Sequence, residues 1–165
     1  AYRVRLYGAD GVALWTLDLA QLFSRQDHLE IQDVRYRDGV LYFNEACQSY
    51  ASEARGRCSS LVAVEPTEAK VLWRTKPLVS NNRFLVEADL IVSGYGFTKE
   101  RDYLYVIRRT DGKLMHRLRI PKAHEAIGRD DQGRLVVRLY PDAIHYFELY
   151  ETRRGAPRLR PVGKR

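Results

Sequence analysis

Apolar and polar residues alternate along three similar stretches of the chain, at residues 3–15, 61–73 and 104–116. In each stretch the second and fourth positions are apolar, and this period of two is typical of a half-buried β-strand. A polar turn follows, and then a second short strand. The pattern therefore predicts three β-hairpins.

The three stretches align in one frame of thirteen residues without a gap. The ninth position is small in each copy, which suits a tight turn with positive φ. The last position is a tryptophan or a histidine. The residues at these two repeated positions are Gly11, Ala69 and Gly112 in the turn, and Trp15, Trp73 and His116 at the end. Repetition of this kind indicates a repeat architecture.

A second element recurs along the chain, with a turn-forming pair followed by a short apolar strand. It begins at Asp38, Ala88 and Gln132, so consecutive copies are 50 and 44 residues apart. One more short segment precedes each copy, so the repeat unit contains four short strands and has the period of a β-propeller blade. A fourth strand-turn segment begins near Tyr146. We expect at most one short helix, near 17–24.

The stretches LVAVEPTEAKVLW and LYVIRRTDGKLMH, each preceded by a strand similar to DGVLY, resemble the repeats of quinoprotein-like β-propellers of the pyrroloquinoline-quinone (PQQ) type. The resemblance covers nearly the whole chain. It implies an all-β fold of four-stranded antiparallel blades, with Trp15 and Trp73 docked between neighbouring blades, each burying on the order of 200 Å². The copies depart from the family pattern at Glu65, Ala69, Arg108 and His116. Such drift is common among non-catalytic members.

The chain supplies about three and a half blades. We expect a partial blade at residues 1–24, further blades at 28–78, 82–120 and 124–152, and a basic C-terminal extension at 153–165. A closed propeller generally needs at least four blades, because fewer leave sheet edges unpaired. The sequence therefore predicts a piece of a longer propeller. A composite blade that closes a small ring, and association with another copy or a partner, are the alternatives.

The unpaired edges predict where this chain meets its surroundings. An apolar blade face and an open strand edge are unfavourable in water. We therefore expect residues 1–15 and the last strand, around Tyr146 to Tyr150, to lie against further blades of the same polypeptide, another copy of the chain or a different protein.

The net charge of +7 is concentrated at the C-terminal end. Six of the 28 basic residues and no acidic residue lie within 153–165, so residues 1–152 carry 22 basic and 21 acidic residues. Nucleic-acid-binding domains spread positive charge over a groove or face, and the near-neutral body therefore disfavours nucleic acid as a partner. A basic terminal segment is more typical of a partner-seeking extension. Its candidate contacts are Arg153, Arg154, Arg158 and Arg160.

The only two cysteines, Cys47 and Cys58, flank a long polar segment between two predicted antiparallel strands. A disulfide there would close a twelve-residue ring and stabilise the fold by roughly 3 kcal/mol in the chain-entropy model. Two unpaired thiols or half of a metal site are the alternatives, although the Cys-x-x-Cys spacing of zinc sites is absent. A disulfide would indicate a periplasmic or extracellular location.

No catalytic constellation emerges from the sequence. It contains no Gly-x-Ser-x-Gly elbow, no phosphate-binding glycine loop and no apolar window long enough for a transmembrane helix. The four histidines fall at different places in the repeat, so nothing gathers them as ligands. They are His28, His116, His124 and His145.

The sequence therefore favours a non-enzymatic protein-binding scaffold module, a β-propeller component of a larger cell-envelope or multiprotein assembly, with no cofactor and no metal. The alternative is a fragment of a PQQ-type quinoprotein oxidoreductase. Members of that class hold a calcium-bound quinone at the centre of the propeller. An absorbance scan of the protein with quinone and calcium distinguishes the two functions.

Overall fold

The computed structural model describes residues 2–25, 27–97 and 99–164. Within these ranges the chain forms fifteen β-strands and one 3₁₀ helix, Leu19–Leu22, which lies within the segment where a short helix was expected. The strands are β1 (Arg3–Tyr7), β2 (Ala13–Asp18), β3 (Leu29–Glu30), β4 (Val34–Arg37), β5 (Val40–Cys47), β6 (Ser60–Glu65), β7 (Lys70–Arg74), β8 (Leu85–Val86), β9 (Leu90–Tyr95), β10 (Tyr103–Arg108), β11 (Leu114–Arg119), β12 (His124–Arg129), β13 (Leu135–Leu139), β14 (Ala143–Glu151) and β15 (Pro157–Lys164).

The strands assemble into four antiparallel sheets in chain order. The first sheet is β1–β2, the third is β8 to β11 and the fourth is β12 to β15. In the second sheet, β4 to β7 pair in sequence, and β3 adds a short pairing to the far end of β5. Sequential antiparallel pairing of this kind needs only short hairpin connections. The predicted all-β fold of four-stranded antiparallel units is confirmed.

Three hydrophobic cores lie between consecutive sheets. The first core joins Leu17 and Leu19 to Phe43 of the second sheet. The second lies between the second and third sheets, and the third between the third and fourth. Because β5, β6, β9 and β10 are covered on both faces, they are buried almost throughout, and most of their residues are apolar. The sheets thus stack face to face like the blades of a β-propeller.

The three predicted hairpins form, but the first is shorter than the others. Trp15 pairs with Leu6, nine residues away, whereas Trp73 and His116 each pair with a residue ten positions away. The frame of thirteen residues therefore needs a one-residue gap in its first copy. The small turn residues behave as expected, and φ is positive in all three copies. The values are 77° at Gly11, 54° at Ala69 and 71° at Gly112.

The basic C-terminal segment is not an extension beyond the blades. Residues Pro157–Lys164 form β15, which pairs with β14 along its length. Pro157 and Leu159 are buried, whereas Arg158 and Arg160 are exposed, so the first half of the segment has the period of two of a half-buried strand. Residues 161–164 are exposed. Its high arginine content and degenerate turn hid that pattern in the sequence.

The first and fourth sheets do not close on each other within the described residues. No strand of the fourth sheet pairs with β1 there, and the fourth sheet already has four strands of its own. The alternative in which terminal strands complete one composite blade is therefore not observed. Over the same ranges, no helix is long and apolar enough to cross a membrane.

Candidate binding face

The connections at one end of the sheets form the candidate binding face. Because neighbouring strands run in opposite directions, the β5–β6, β9–β10 and β13–β14 loops and the connections between sheets all leave from the same end. Two of these loops are prominent. They are residues 48–57, here called the disulfide loop, and the β9–β10 loop of the third sheet.

A disulfide between Cys47 and Cys58 closes the disulfide loop. Both cysteines are buried at the ends of the segment that joins β5 to β6. The predicted disulfide is confirmed, and the alternatives of unpaired thiols or half of a metal site are excluded. Inside the loop, the N–H of Gly56 donates to the carbonyl of Ala51 at 2.7 Å, and Ala54 packs into the second core. The loop is therefore ordered by its own contacts as well as by its covalent closure.

The disulfide loop is joined to the β9–β10 loop of the neighbouring sheet through Glu100. One carboxylate oxygen of Glu100 accepts a hydrogen bond from the Ala51 N–H at 2.9 Å, and the other accepts one from the hydroxyl of Tyr95. Burial, followed by this hydrogen bond, raises the pKa of Tyr95. The rings of Tyr50 and Phe97 lie 6.0 Å apart across the two loops. The disulfide loop and the β9–β10 loop, which belong to neighbouring blades, are thus held together as one surface, here called the braced surface.

A pocket of about 770 Å³ opens on the same face between the third and fourth sheets, and we call it the charged pocket. Its apolar wall is Phe97, Ile120, Pro121 and Tyr140. Its charged residues are Arg101, Arg119, Lys122, Glu100, Asp102 and Glu125. These side chains come from the β9–β10 loop, the connection between the two sheets and the adjoining strand ends, so the pocket exists only where two blades meet.

Asp102 lies at the edge of the charged pocket in unusually close contact with the backbone. A Cβ at Gly96 would lie 1.9 Å from the Asp102 Oδ1 atom, so only glycine fits beneath that carboxyl group. The same oxygen is buried without a hydrogen-bond partner among the described residues. Burial raises the pKa of Asp102. The main-chain carbonyl of Asp102 accepts a hydrogen bond from the N–H of Ile120 at 3.0 Å. This bond joins the β9–β10 loop to the connection between β11 and β12.

His124 lies beneath the charged pocket, where the fourth sheet meets the third. It is fully buried, and a Cβ at Gly94 would lie 2.5 Å from its Nδ1 atom, so the ring occupies the space that a side chain at Gly94 would need. Its Nε2 atom contacts the carbonyl of Arg83 at 3.2 Å. The amide of Asn82 donates to the His124 carbonyl at 2.7 Å. His124 therefore locks two blades together beneath the pocket.

His124 is expected to make the fold sensitive to acid. Complete burial lowers the pKa of its imidazole from 6.5 to about 4. Between these values the unfolded state binds more protons than the folded state, so stability falls as the pH falls from about 6.5 to about 4, by about 3 kcal/mol in total. Urea denaturation across this pH range measures the loss. Asp102 has the opposite effect on stability. Its pKa is raised in the folded state, so its protonation stabilises the fold as the pH falls.

The variant His124→Gln isolates the histidine from the other titrating groups. Its neutral side chain cannot take up a proton, so the free energy of unfolding should vary less between pH 6.5 and 4 in the variant than in the wild type. Equal pH dependence in the two proteins would show that His124 is not the group responsible.

The repeated ring positions lie between blades and away from the charged pocket. The rings of Trp15 and of Tyr36 in the second sheet are 5.7 Å apart. The Nε1 of Trp73 donates to the carbonyl of Arg109 in the third sheet at 3.0 Å. His116 contacts the fourth sheet through its Nδ1 atom, 2.8 Å from Nη1 of Arg158. In each copy, the last residue of the hairpin frame touches the next sheet along the chain.

The four arginines proposed as partner contacts have two different environments. Arg158 contacts His116, and Arg160 pairs with Glu148 at 2.6 Å, so both are engaged within the chain. Arg153 and Arg154 lie exposed at the turn between β14 and β15. That turn is at the opposite end of the sheet from the binding face, because β14 runs away from it. The sequence predicted none of the charged residues of the pocket.

Comparison with known proteins identifies a fold but no family. No protein-family model matches the chain, and no curated protein sequence matches it. Among solved structures, it is similar to the computationally designed Ika4 protein, with 13% identity and a TM-score of 0.52 over 93% of this chain and 74% of that one. A protein of unknown function from Bacteroides caccae gives 14% identity and a TM-score of 0.56, over 99% of this chain and 53% of that one.

The dihydro-heme d1 dehydrogenase NirN, in complex with DHE, gives 17% identity and a TM-score of 0.52, over 98% of this chain and 34% of NirN. The chain therefore spans about half of the Bacteroides caccae protein and about a third of NirN. At these identities the likeness extends to the fold alone. Together with the stacked four-stranded sheets, it establishes a β-propeller type of fold for this chain.

Proposed function

We propose that this chain is a non-enzymatic protein-binding module, a divergent quinoprotein-like β-propeller component of a larger multiprotein assembly at the cell envelope. The observation that carries the proposal is the hydrogen bond between Ala51 and Glu100, which braces the disulfide loop against the neighbouring blade. A surface that is ordered before it meets its partner loses little conformational entropy on binding.

The composition of the braced surface supports the proposal. Tyr50 is 37% exposed on the disulfide loop, beside the partly exposed ring of Phe97. Aromatic side chains supply large contact areas with few rotatable bonds, and they are enriched at protein interfaces. Arg55 and Arg57 are also exposed on this loop and can form polar contacts around the aromatic pair.

The disulfide supports a location outside the cytoplasm. Disulfides persist in oxidising compartments such as the bacterial periplasm and the cell exterior, whereas cytosolic thiols are kept reduced. The bond between Cys47 and Cys58 is buried in the second core, where it serves the fold. We therefore place the module in the periplasm or outside the cell.

Photo-crosslinking in cells that export the chain tests this function. A photoreactive phenylalanine analogue in place of Tyr50 should give a discrete adduct of higher mass with one protein. The matched control places the same analogue at Leu72, which is 46% exposed but lies on β7, away from the loops of the binding face. The control position should give no such adduct.

Two outcomes contradict the proposal. One is the absence of a discrete adduct at Tyr50, or an equal pattern of adducts at Tyr50 and Leu72. The other is binding of PQQ and calcium by the purified chain with turnover of an alcohol, which would favour the oxidoreductase fragment.

A further inference from the structure

Three cations of the charged pocket lie beyond ion-pair distance of every carboxylate that the structure describes. Arg101, Arg119 and Lys122 are exposed at its rim, and none of them forms an ion pair with any residue that the structure describes. Ten other arginines of the described residues do form such pairs, as Arg138 does with Glu125 at 2.9 Å. The cations at the rim are therefore available to an incoming molecule.

The carboxylates of the pocket are not equally available. Both oxygens of Glu100 accept hydrogen bonds, from Ala51 and from Tyr95. Glu125 is neutralised by Arg138, outside the pocket. The Oδ1 atom of Asp102 is buried against the backbone of Gly96. With Arg138 counted, four cations stand against three carboxylates around the pocket, and the three cations at the rim are the ones without an ion pair. An approaching ligand therefore meets an excess of one positive charge.

We propose that the charged pocket binds an acidic segment of the partner protein, with carboxylates on Arg119, Lys122 and Arg101 and an apolar residue against Phe97 and Ile120. This inference rests on the proposed protein-binding function and names the chemistry of the partner. The cavity of about 770 Å³ lies within the range of ligand pockets, roughly 300 to 1,000 Å³, and holds a few residues of a peptide.

An acidic peptide fits the pocket better than nucleic acid does. Nucleic-acid sites extend positive charge along a groove with exposed rings for base stacking. Here three cations surround one pocket, and the first 152 residues are nearly neutral. The apolar wall beside the cations suits a side chain such as leucine next to a glutamate or aspartate.

Fluorescence anisotropy with the full chain tests the inference. The probe is a fluorescein-labelled peptide of alternating glutamate and leucine, and its counterpart carries glutamine in place of each glutamate. The wild type should bind the glutamate peptide and not the glutamine peptide. The double variant Arg119→Gln with Lys122→Gln should bind it roughly tenfold more weakly, because two ion pairs of up to about 1 kcal/mol each are lost.

The double variant Arg153→Gln with Arg154→Gln is the matched control. It removes the same charge from the turn at the opposite end of the fourth sheet, and it should bind the glutamate peptide like the wild type. Equal weakening in both double variants would overturn the inference, as would equal binding of the two peptides or preferential binding of a single-stranded oligonucleotide. Thermal melting verifies that each variant is folded.

The peptide-binding experiment and the crosslinking experiment can fail independently of each other. If Tyr50 forms its adduct and the pocket variants bind the glutamate peptide like the wild type, the protein-binding function stands and the acidic segment is wrong. If Tyr50 forms no adduct, the function itself fails.

Discussion

Replacing Trp73 with alanine is expected to lower the free energy of unfolding by about 3 kcal/mol, the lower end of the range for tryptophan truncation, because the side chain is half-buried. The ring lies between two blades. Its centroid is 6.0 Å from that of Tyr42 in its own sheet, and its Nε1 atom donates to Arg109 in the next. A Cβ at Gly112 would lie 2.5 Å from the ring, so the turn of the third sheet packs directly on it.

Urea denaturation of Trp73→Ala measures this loss, with Leu72→Ala as the control. Leu72 precedes Trp73 on β7, and its side chain is 46% exposed, so its truncation should change stability by less than about 0.5 kcal/mol. A loss below about 1 kcal/mol for Trp73→Ala would show that the ring is not a wedge between blades.

Replacing Arg74 with methionine is expected to cost about 3 kcal/mol or more, because it leaves Glu45 as a buried charge without a cation. Glu45 is 1% exposed, in the middle of the second sheet. Arg74 donates to both of its oxygens, at 2.9 and 3.1 Å, and also to the carbonyl of Leu22. The main-chain N–H and the hydroxyl of Ser24 complete the carboxylate's hydrogen bonds, at 2.8 and 2.9 Å.

The double variant Glu45→Gln with Arg74→Met should lose less stability than Arg74→Met alone, because no buried charge remains. Arg160→Met is the matched control, since Arg160 and Glu148 are 58% and 45% exposed and such pairs contribute at most about 1 kcal/mol. If Arg74→Met and Arg160→Met have equal effects in urea denaturation, the buried pair does not hold the first segment of the chain to the second sheet.

The repetition in the sequence was enough to predict the blades. Trp73 and His116 mark the same place in successive hairpins, and Gly11 and Gly112 mark turns that need positive φ. The disulfide could be predicted because Cys47 and Cys58 flank a loop between adjacent antiparallel strands. Both predictions rest on local sequence patterns. The hairpin residues recur at a fixed offset, and the two cysteines lie at the two ends of one loop.

The charged pocket could not be predicted in the same way. Arg119 and Lys122 lie where one sheet ends and the next begins, and Asp102 lies in a loop of another length in each repeat. Their proximity depends on how two blades stack, which no periodic pattern encodes. Glu45 did leave a signal, since a charged residue in the apolar run VLYFNEAC calls for a buried partner. Its partner, Arg74, is two strands away.

Each hydrophobic core is shared by two sheets, so no blade has a core of its own. Such a chain behaves as a one-dimensional stack, in which the unfolding of one unit removes the packing surface of its neighbour. The second and third sheets have a neighbour on each side, whereas the first and fourth have one each within the described residues. For the isolated 165-residue chain we therefore expect amide exchange to begin in the two outer units and to be slowest in β5 and β9.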